Sequence, residues 1–442
     1  MKSLPILNNL KKDAPIFIYK GNAITPDIFK QDILLAAENL RQHHYAINLC
    51  EDRYLFAVAF VATIIQKHVC LLPAHHAENE IKKIEHEYTD TQRLDDKSIE
   101  EFLSKKVNTT LSFPAEINAE QSVAIVFTSG SSGKPKANTK TWGALVDSAQ
   151  RVAAQLNLNH EAQHTFIATV PPQHMYGFET TIIYPIVNGV CVHSAKPFFP
   201  EDIRQALSQV ETPVVLVTTP IHLRACSKAQ LTWPEVDFVL SATAPLSQQL
   251  ARDIEQQLQT RLQEIYGCSE AGVISTRFTT QNIEWRLLPG YKLFDKLTGV
   301  CLSTPLSEHE ILLPDQIEQL DPQHFHLLGR QSDLVKIAGK RGSLNDLKIK
   351  LSSLNGIEDA VFFMPSDSPD EKTRLAAFVI APGLTSREIN EFLSQHIDHA
   401  FMPRPLIKLD KLPYNETGKL PHKNLVSLLE QYRSNKHLKD SA

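Results

Sequence analysis

Three absences narrow what this chain can be. The longest apolar run, Leu55–Ile65, falls well short of the roughly 20 residues that a membrane-spanning helix needs, so it reads as a buried helix. The N-terminal stretch MKSLPILNNLKKD has neither a continuous apolar segment nor a cleavage site, and no signal peptide is expected. The net charge of −5 comes without a block of basic residues, which argues against a nucleic-acid partner.

Cysteine is scarce and shows no pairing pattern. None of the six lies in a C-x-x-C pair or beside a matching histidine pair; they are Cys50, Cys70, Cys191, Cys226, Cys268 and Cys301. A disulfide framework or a zinc site is therefore not expected, and a cytoplasmic location is the natural reading. Cys268 alone lies inside a motif, which makes it a candidate for a place near a site.

What is present indicates a folded protein of more than one domain. At 442 residues, with 42% apolar and 21% charged residues, the chain is long enough for two or three domains. From about residue 121, β-rich runs alternate with amphipathic stretches, which predicts an α/β sheet with parallel pairs. The predicted strands are 122–127, 165–170, 214–219 and 238–241, and the predicted helices are 142–156 and 246–259.

The chain after about residue 330 has a different pattern. It predicts helices at 347–354 and 386–396 and strands at 359–364 and 375–380, as in a compact α+β module. We therefore expect an N-terminal domain of residues 1–329 and a C-terminal domain of residues 330–442.

A glycine- and serine-rich loop, TSGSSGKPK at 128–136, directly follows the strand predicted at 122–127. Glycines allow a backbone to approach a polyphosphate, hydroxyls donate hydrogen bonds, and lysines supply positive charge. It is not a Walker A loop, because Gly130 and Gly133 are too close together and Pro135 stands where Ser or Thr would hold magnesium. A flexible linker would rarely follow a buried strand directly, so a phosphate-binding loop is favoured.

The segment 127–136 resembles the signature loop of the adenylate-forming superfamily, which includes acyl- and aryl-CoA synthetases, peptide-synthetase adenylation domains and beetle luciferases. The resemblance implies a large N-terminal α/β domain with mixed and parallel sheets, and a small mobile α+β C-terminal domain. It also implies ATP as a cofactor. The residues that it places around the phosphates are Thr128, Ser129, Gly130, Ser131, Ser132, Gly133 and Lys136. Ala137 stands where the family usually has glycine.

Further motifs follow in the family's order. The run YGCSE, residues 266–270, resembles Tyr-Gly-x-Thr/Ser-Glu, which implies adenine contact by Tyr266 and magnesium binding by Glu270, with Thr128 as a second metal ligand. The same resemblance includes Gly267 and Ser269 in the nucleotide site. The run SATAP, residues 241–245, stands where the family has a Gly/Ala-rich turn that lines the adenine and acyl pockets. The residues carried over there are Ser241, Ala242 and Thr243, with Ala242 and Thr243 in place of the usual double glycine.

Another segment resembles the mouth of the family's acid pocket. The run PPQHMYGF, residues 171–178, is similar to a His-x-aromatic-Gly segment, so the resemblance assigns His174 to the catalytic site.

The last motifs lie towards the C-terminus. The run LGRQSD, residues 328–333, resembles the hinge between the two domains, with Ser332 as the hinge position. The resemblance assigns ribose binding to Asp315 and Arg330, and it adds Lys336 and Arg341 downstream. Lys336 and Gly339 would come near the thiol tunnel after a domain rotation. Lys419, in LPYNETGK, would bridge the acid carboxylate and the α-phosphate.

The resemblance therefore implies ATP- and Mg²⁺-dependent activation of a small carboxylic acid as acyl-AMP, followed by transfer to CoA or to the phosphopantetheine of an acyl carrier protein. Only 45 residues separate Glu270 from Asp315 (315 − 270 = 45), so the β-barrel that most relatives carry there is expected to be trimmed or absent. The compact form resembles stand-alone ligases of aryl-polyene and xanthomonadin-type pathways, which favours an aryl acid such as a hydroxybenzoate or cinnamate. A medium- or long-chain fatty acyl-CoA ligase and a catalytically silent nucleotide-binding protein are the alternatives.

Overall fold

A computed structural model gives the fold. It describes residues 2–8, 10–40, 43–105, 111–128, 136–156, 158, 163–210, 213–297, 299–305, 309–330, 333–337, 340–365, 374–414 and 420–440. These residues form two compact units. The first unit comprises Met1–Lys292 and Ser303–Ile311, and the second comprises Leu293–Leu302 and Leu312–Ala442.

The first unit contains a large, mainly parallel sheet. Its strands follow one another in the order β16-β15-β14-β13-β12-β10-β11-β2-β3, and the six from β14 to β2 in that order run parallel. Their bounds are β2 Phe17–Tyr19, β3 Asn22–Ile24, β10 Thr165–Ala168, β11 Cys191–His193, β12 Val214–Thr218, β13 Phe238–Ser241, β14 Arg261–Cys268, β15 Gly272–Arg277 and β16 Trp285–Leu287. The predicted α/β sheet with parallel pairs is confirmed.

A second sheet in the same unit has the order β6-β4-β5-β8-β9, in which only β9 runs antiparallel to its neighbour. Its strands are β4 Tyr45–Asn48, β5 Val69–Leu72, β6 Thr91–Leu94, β8 Ser122–Thr128 and β9 Lys136–Thr141. Two short strands, β1 Ser3–Pro5 and β7 Glu116–Asn118, form a separate antiparallel pair.

Helices supply the layers against these sheets. They are α1 Pro26–Asn39, α2 Arg53–Ile65, α3 Glu78–Glu87, α4 Asp96–Ser104, α5 Trp142–Leu156, α6 Met175–Phe178, α7 Tyr184–Asn188, α8 Pro200–Ser208, α9 Pro220–Lys228 and α10 Gln248–Leu258, with a π-helical turn at Glu179–Ile183. Helix α2 is the apolar run noted in the sequence. It begins where the Asp52 carboxylate accepts from the main-chain N–H groups of Tyr54 and Leu55, and it is buried over almost its whole length. Within the described ranges, no helix has the length and apolar character that crossing a membrane requires.

The second unit is a smaller α+β assembly. Its strands are β20 Asp315–Gln319, β21 His324–Arg330, β22 Leu334–Ile337, β23 Lys340–Ser343, β24 Asp359–Phe363, β25 Ala376–Ile380 and β26 Leu406–Lys408. Its helices are α11 Leu344–Ser352, α12 Ser386–His396 and α13 His422–Asp440, with a 3₁₀ turn at His399–Phe401. Buried Leu351, Phe362 and Leu393 belong to its core. The α+β pattern predicted after residue 330 is confirmed.

The interval between Glu270 and Asp315 holds only short strands. Besides β15 and β16, the described residues there form a three-stranded sheet of β17 Lys292–Lys296, β18 Gly299–Ser303 and β19 Ile311–Leu312, rather than a closed barrel. The two compact units divide between residues 292 and 312. The expected division into residues 1–329 and 330–442 is not tested and stays a prediction.

Candidate functional site

The hairpin β8–β9 sets the position of the glycine- and serine-rich loop. Thr128, the last residue of β8, pairs in register with Lys136, the first residue of β9. Both ends of the loop are thereby held at one point of the sheet, at the carboxyl end of a buried parallel strand. Residues Ser129, Gly130, Ser131, Ser132 and Gly133 lie outside the described residues, so their predicted roles are not tested.

The structure brings Lys136 to Glu270, which is 134 residues away in sequence. The Lys136 ammonium donates to Glu270 Oε1 over 2.5 Å, and the Lys140 ammonium donates to the Glu270 main-chain oxygen over 2.8 Å. Burial raises the pKa of the Glu270 carboxyl, but hydrogen bonds, led by the one from Lys136, outweigh this and hold its pKa below the usual value. Glu270 is therefore ionised at neutral pH, as a ligand for a hard cation must be.

Two glycines shape the turn that carries Glu270. A Cβ on Gly267 would lie 2.3 Å from the Gly272 carbonyl oxygen, and Gly272 has a φ of +75°. The β14–β15 ladder is irregular between Tyr266 and Gly267. Only glycine allows this close approach of two strands, so the motif YGCSEAG builds a tight turn that holds Glu270 at the end of the sheet.

Three further residues of the motif YGCSE lie on or beside this turn. Tyr266 is buried against Trp285, with ring centroids 5.7 Å apart, and Ser269 lies on the same turn. Cys268 lies there too, but burial raises the pKa of its thiol to about 12, so the thiol is not a nucleophile at neutral pH.

The segment SATAP lies at the end of β13, next to β14. Ser241 is fully buried, and among the described residues its hydroxyl has no hydrogen-bond partner. Thr243 has a φ of +80°, a conformation that glycine adopts freely and a β-branched residue rarely does. The turn thus keeps the backbone of a glycine turn although the double glycine has been replaced by Ala242 and Thr243.

His174 is placed by the turn that precedes α6. A Cβ on Gly177 would lie 2.0 Å from the Pro171 carbonyl oxygen, so glycine is required for this turn to close. The Tyr176 hydroxyl donates to the Leu240 carbonyl oxygen over 3.0 Å, which fixes the turn to β13. His174, as the residue before α6, is half-buried at this place.

Three polar residues that the sequence analysis did not single out lie close to these motifs. Lys140 is buried on β9, and Glu179 is buried and accepts from the Ser148 hydroxyl over 2.8 Å. Burial raises the pKa of Glu179 to about 7, opposed by the charge of Lys140, and burial lowers the pKa of Lys140. The sequence held one signal: Glu179 is the only charged residue in the apolar run 175–187.

In the second unit, strand pairing brings predicted residues together. Asp315 pairs in register with Arg330 across the β20–β21 hairpin, and Lys336 pairs with Arg341 across β22–β23. Asp315 is buried. The structure describes only the main chain of Arg330, Lys336 and Arg341. Ser332, Gly339 and Lys419 lie outside the described residues, and their roles stay predictions.

This chain is similar to a known family of enzymes. A family model described as "AMP-binding enzyme" matches residues 36–297. Among curated relatives, a 4-coumarate–CoA ligase from Halorhodospira halophila is 26% identical over 66% of this chain and 73% of its own length. A putative long chain fatty acid–CoA ligase from Staphylococcus epidermidis is 24% identical over 70% and 72%. A 3,4-dihydroxybenzoate–[aryl-carrier protein] ligase from Bacillus anthracis is 23% identical over 70% and 74%.

Solved structures agree on the fold. O-succinylbenzoate coenzyme A synthetase from Bacillus subtilis, in complex with ATP and magnesium ion, superimposes with a TM-score of 0.81 at 16% identity, covering 96% of this chain and 99% of its own. ATP-bound MatB from Rhodopseudomonas palustris gives 0.81 at 16% identity over 95% and 97%. At such low identity the likeness establishes the fold alone.

Proposed function

Because this chain belongs to the AMP-binding enzyme family and is an acid–thiol ligase that works through an adenylate, we propose that its acid is an aryl acid of the hydroxybenzoate or cinnamate kind. The acyl group passes to a phosphopantetheine thiol, on CoA or on a carrier protein. The single observation that supports an adenylation site in this chain is the contact between Lys136 and Glu270. It joins the predicted phosphate loop to the predicted magnesium residue in one place.

The reaction explains why such a site needs cations and positioning. A carboxylate is a poor acyl donor, because its leaving group would be oxide. Attack of a carboxylate oxygen on the α-phosphorus of ATP forms acyl-AMP and releases pyrophosphate. The thiol sulfur then attacks the acyl carbon, loses its proton and expels AMP. Both steps are accelerated by charge stabilisation and alignment of the reacting groups.

The proposed roles follow the chain's own groups. Lys136 and the hydroxyls of the loop that begins at Thr128 hold the phosphates, and Glu270 supplies an ionised carboxylate for the metal. These donors fit magnesium, which is usually held by one or two carboxylates together with substrate phosphates. When bound, Mg²⁺ would neutralise charge on the phosphates. Tyr266 packs near the adenine, and Asp315 with Arg330 holds the ribose.

The remaining roles concern the acid and the second half-reaction. We assign His174 to the mouth of the acid pocket and Lys419 to the alignment of carboxylate and α-phosphate. Rotation of the C-terminal domain about residues 330–332 would move Lys419 out of the active site and bring in the face of the domain that carries Lys336. The six cysteines are free thiols, which supports a cytoplasmic setting for the enzyme.

The preference for aryl acids is supported by two relatives whose names give hydroxylated aryl substrates. Fatty acids belong in the test because another relative is named as a putative long chain fatty acid–CoA ligase. ATP–pyrophosphate exchange with magnesium should be measured across benzoates, hydroxycinnamates and straight-chain acids. We expect exchange with aryl acids above that with every fatty acid, and a clear preference for medium-chain fatty acids would refute the aryl assignment.

The thiol acceptor needs a separate measurement. Product formation from the preferred acid should be compared with CoA and with a phosphopantetheinylated carrier protein as acceptors. The ratio of kcat/KM values identifies the acceptor. Measurable ATP binding without exchange for any acid would instead favour a catalytically silent nucleotide-binding protein.

A further inference from the structure

A cavity of about 230 Å³ lies in the first unit between β9, the first half of α5 and the segment that follows His174. Apolar side chains, among them Leu145 and Met175, form part of its lining, and Lys140, Ser148 and Glu179 form a polar part. Glu270 also lines it. The cavity therefore adjoins the proposed magnesium residue and combines an apolar wall with buried charges.

The volume limits what the cavity can hold. A closed apolar cavity of about 150 Å³ is known to bind benzene. This cavity of about 230 Å³, which is partly open, has room for a ring with a small substituent or for a short chain.

Burying the charged side chain of Lys140 at this place costs free energy. Its side chain points to the buried side of β9, where an apolar residue would ordinarily pack, and the residue is only 7% exposed. In the described part of the chain, one of its three N–H donors is accounted for, by the Glu270 carbonyl oxygen at 2.8 Å. The ammonium therefore keeps donor capacity towards the cavity that it lines.

Glu179 supplies a hydrogen-bond acceptor on the wall of the same cavity. It accepts from the Ser148 hydroxyl over 2.8 Å, and the absence of a side chain on Gly272 makes room for it, since a Cβ there would lie 2.4 Å from Glu179 Oε1. A carboxyl group has about four acceptor positions, so it too keeps capacity for a further partner.

We propose that Lys140 and Glu179 form a specificity subsite that binds a hydroxyl group on the acid substrate. This inference rests on the proposed function and names the substrate class more closely. A hydroxyl donates to Glu179 and accepts from Lys140, so it satisfies both groups at once. A second carboxylate would pair with Lys140 but would have no hydrogen to donate to Glu179, and it would be repelled whenever Glu179 is ionised. An unsubstituted acid would leave the remaining hydrogen-bonding capacity of both buried groups unmet, which is unfavourable.

A purely structural role of these two opposite buried charges is the competing explanation. Replacing a buried pair of that kind by apolar residues of similar size is often neutral for stability and would not alter the choice of substrate. The choice between hydroxylated and unsubstituted acids therefore separates the two explanations.

The experiment is ATP–pyrophosphate exchange by the full chain with matched acids: 4-hydroxybenzoate, benzoate and 4-carboxybenzoate, and 4-hydroxycinnamate with cinnamate. For the unaltered protein we expect kcat/KM for the hydroxylated acid to exceed that for its unsubstituted partner by at least about 100-fold. The 4-carboxy acid should be no better than benzoate. In Glu179→Gln, and in Lys140→Met combined with Glu179→Leu, the hydroxyl preference should fall by at least about tenfold.

Glu264→Gln is the matched control. Glu264 is a buried glutamate that binds Arg277 and Thr279 and does not line the cavity, so this variant should keep the hydroxyl preference. Exchange with several acids but without a hydroxyl preference would overturn the subsite and leave the proposed function standing. The subsite would also be overturned if both cavity variants kept the preference or if 4-carboxybenzoate were favoured. Absence of exchange with every acid would overturn the proposed function itself.

Discussion

At the scale of single residues, Thr243 is in a backbone conformation that strains it. Its φ of +80° places a β-branched side chain in the left-handed region, where such residues are disfavoured by roughly 1–2 kcal/mol. The side chain is exposed, so it recovers little by packing. The strain lies in a turn that the family resemblance predicts to line the adenine and acyl pockets, and strain is often retained at functional sites.

Thr243→Gly should therefore raise the free energy of unfolding by about 0.5–1 kcal/mol, since relief of strain exceeds the entropic cost of glycine. The measurement is urea unfolding followed by circular dichroism. The neighbouring Ala242, which is not among the residues with positive φ, supplies the control: Ala242→Gly should destabilise. Equal destabilisation by both variants would contradict the idea of strain at residue 243.

His222 is a buried histidine that opposes protonation. Its Nδ1 is hydrogen-bonded to the Thr219 hydroxyl at 2.9 Å, and among the described residues its Nε2 has no partner. Burial lowers its pKa from 6.5 to about 4. Below pH 6.5 this histidine is protonated in the unfolded chain, but in the folded chain it stays neutral down to about pH 4. The stability of the fold therefore falls as the pH drops through this window.

The loss should reach about 3 kcal/mol at the acid end. His222→Asn keeps a polar atom near the position of Nδ1 but cannot titrate. The measurement is the thermal unfolding midpoint of each protein at about pH 7.5 and about pH 5. Between these pH values the variant should lose clearly less stability than the unaltered protein. Replacement of the exposed His86 in the same way is the control for the loss of a histidine side chain at a solvated position. Identical losses in the His222 variant and the unaltered protein would show that His222 does not cause the effect.

At the scale of elements, the turn Pro171–Phe178 depends on one close approach of main chain to main chain. Gly177→Ala would put a methyl group 2.0 Å from the Pro171 carbonyl oxygen, so the turn must open. We expect a loss of about 3 kcal/mol in stability and a raised KM for the acid, because His174 lies in the same turn. Thermal unfolding and exchange kinetics measure the two effects.

Gly383→Ala is the control for that substitution. A Cβ on Gly383 has nothing within 4 Å, and the change should stay within about 0.5 kcal/mol. If Gly177→Ala behaved like the control, the turn would be far more adaptable than its geometry indicates.

At the scale of the whole molecule, the reaction is expected to use different parts of the chain in its two halves. Lys419→Ala should reduce ATP–pyrophosphate exchange by at least about 100-fold, because the cation that aligns carboxylate and phosphate is lost. It should spare the conversion of supplied acyl-AMP to thioester. Lys423→Ala removes an exposed lysine on α13 and should alter neither half-reaction. Equal loss of both half-reactions in the Lys419 variant would contradict this division.

Much of this protein follows from local sequence. The strand 238–241 and the helices 142–156 and 386–396 end where the sequence predicted, because periodicity and flanking turn residues act over a few positions. The glycines of YGCSEAG and of PPQHMYG mark turns that only glycine allows, and so these motifs could be found without a structure. The family resemblance rested on the same short segments.

Only the tertiary structure decided which distant groups meet. The contact of Lys136 with Glu270 joins two sheets of the first unit across 134 residues, and no local pattern encodes it. Lys140 looks like an ordinary charged residue in the sequence, and Glu179 stands out there only as the single charge in an apolar run, yet packing buries both beside one cavity. Whether a charge is solvated or buried depends on what packs around it. Local propensity fixed the turns and the elements, and the packing of the sheets and α5 determined which charges line the cavity.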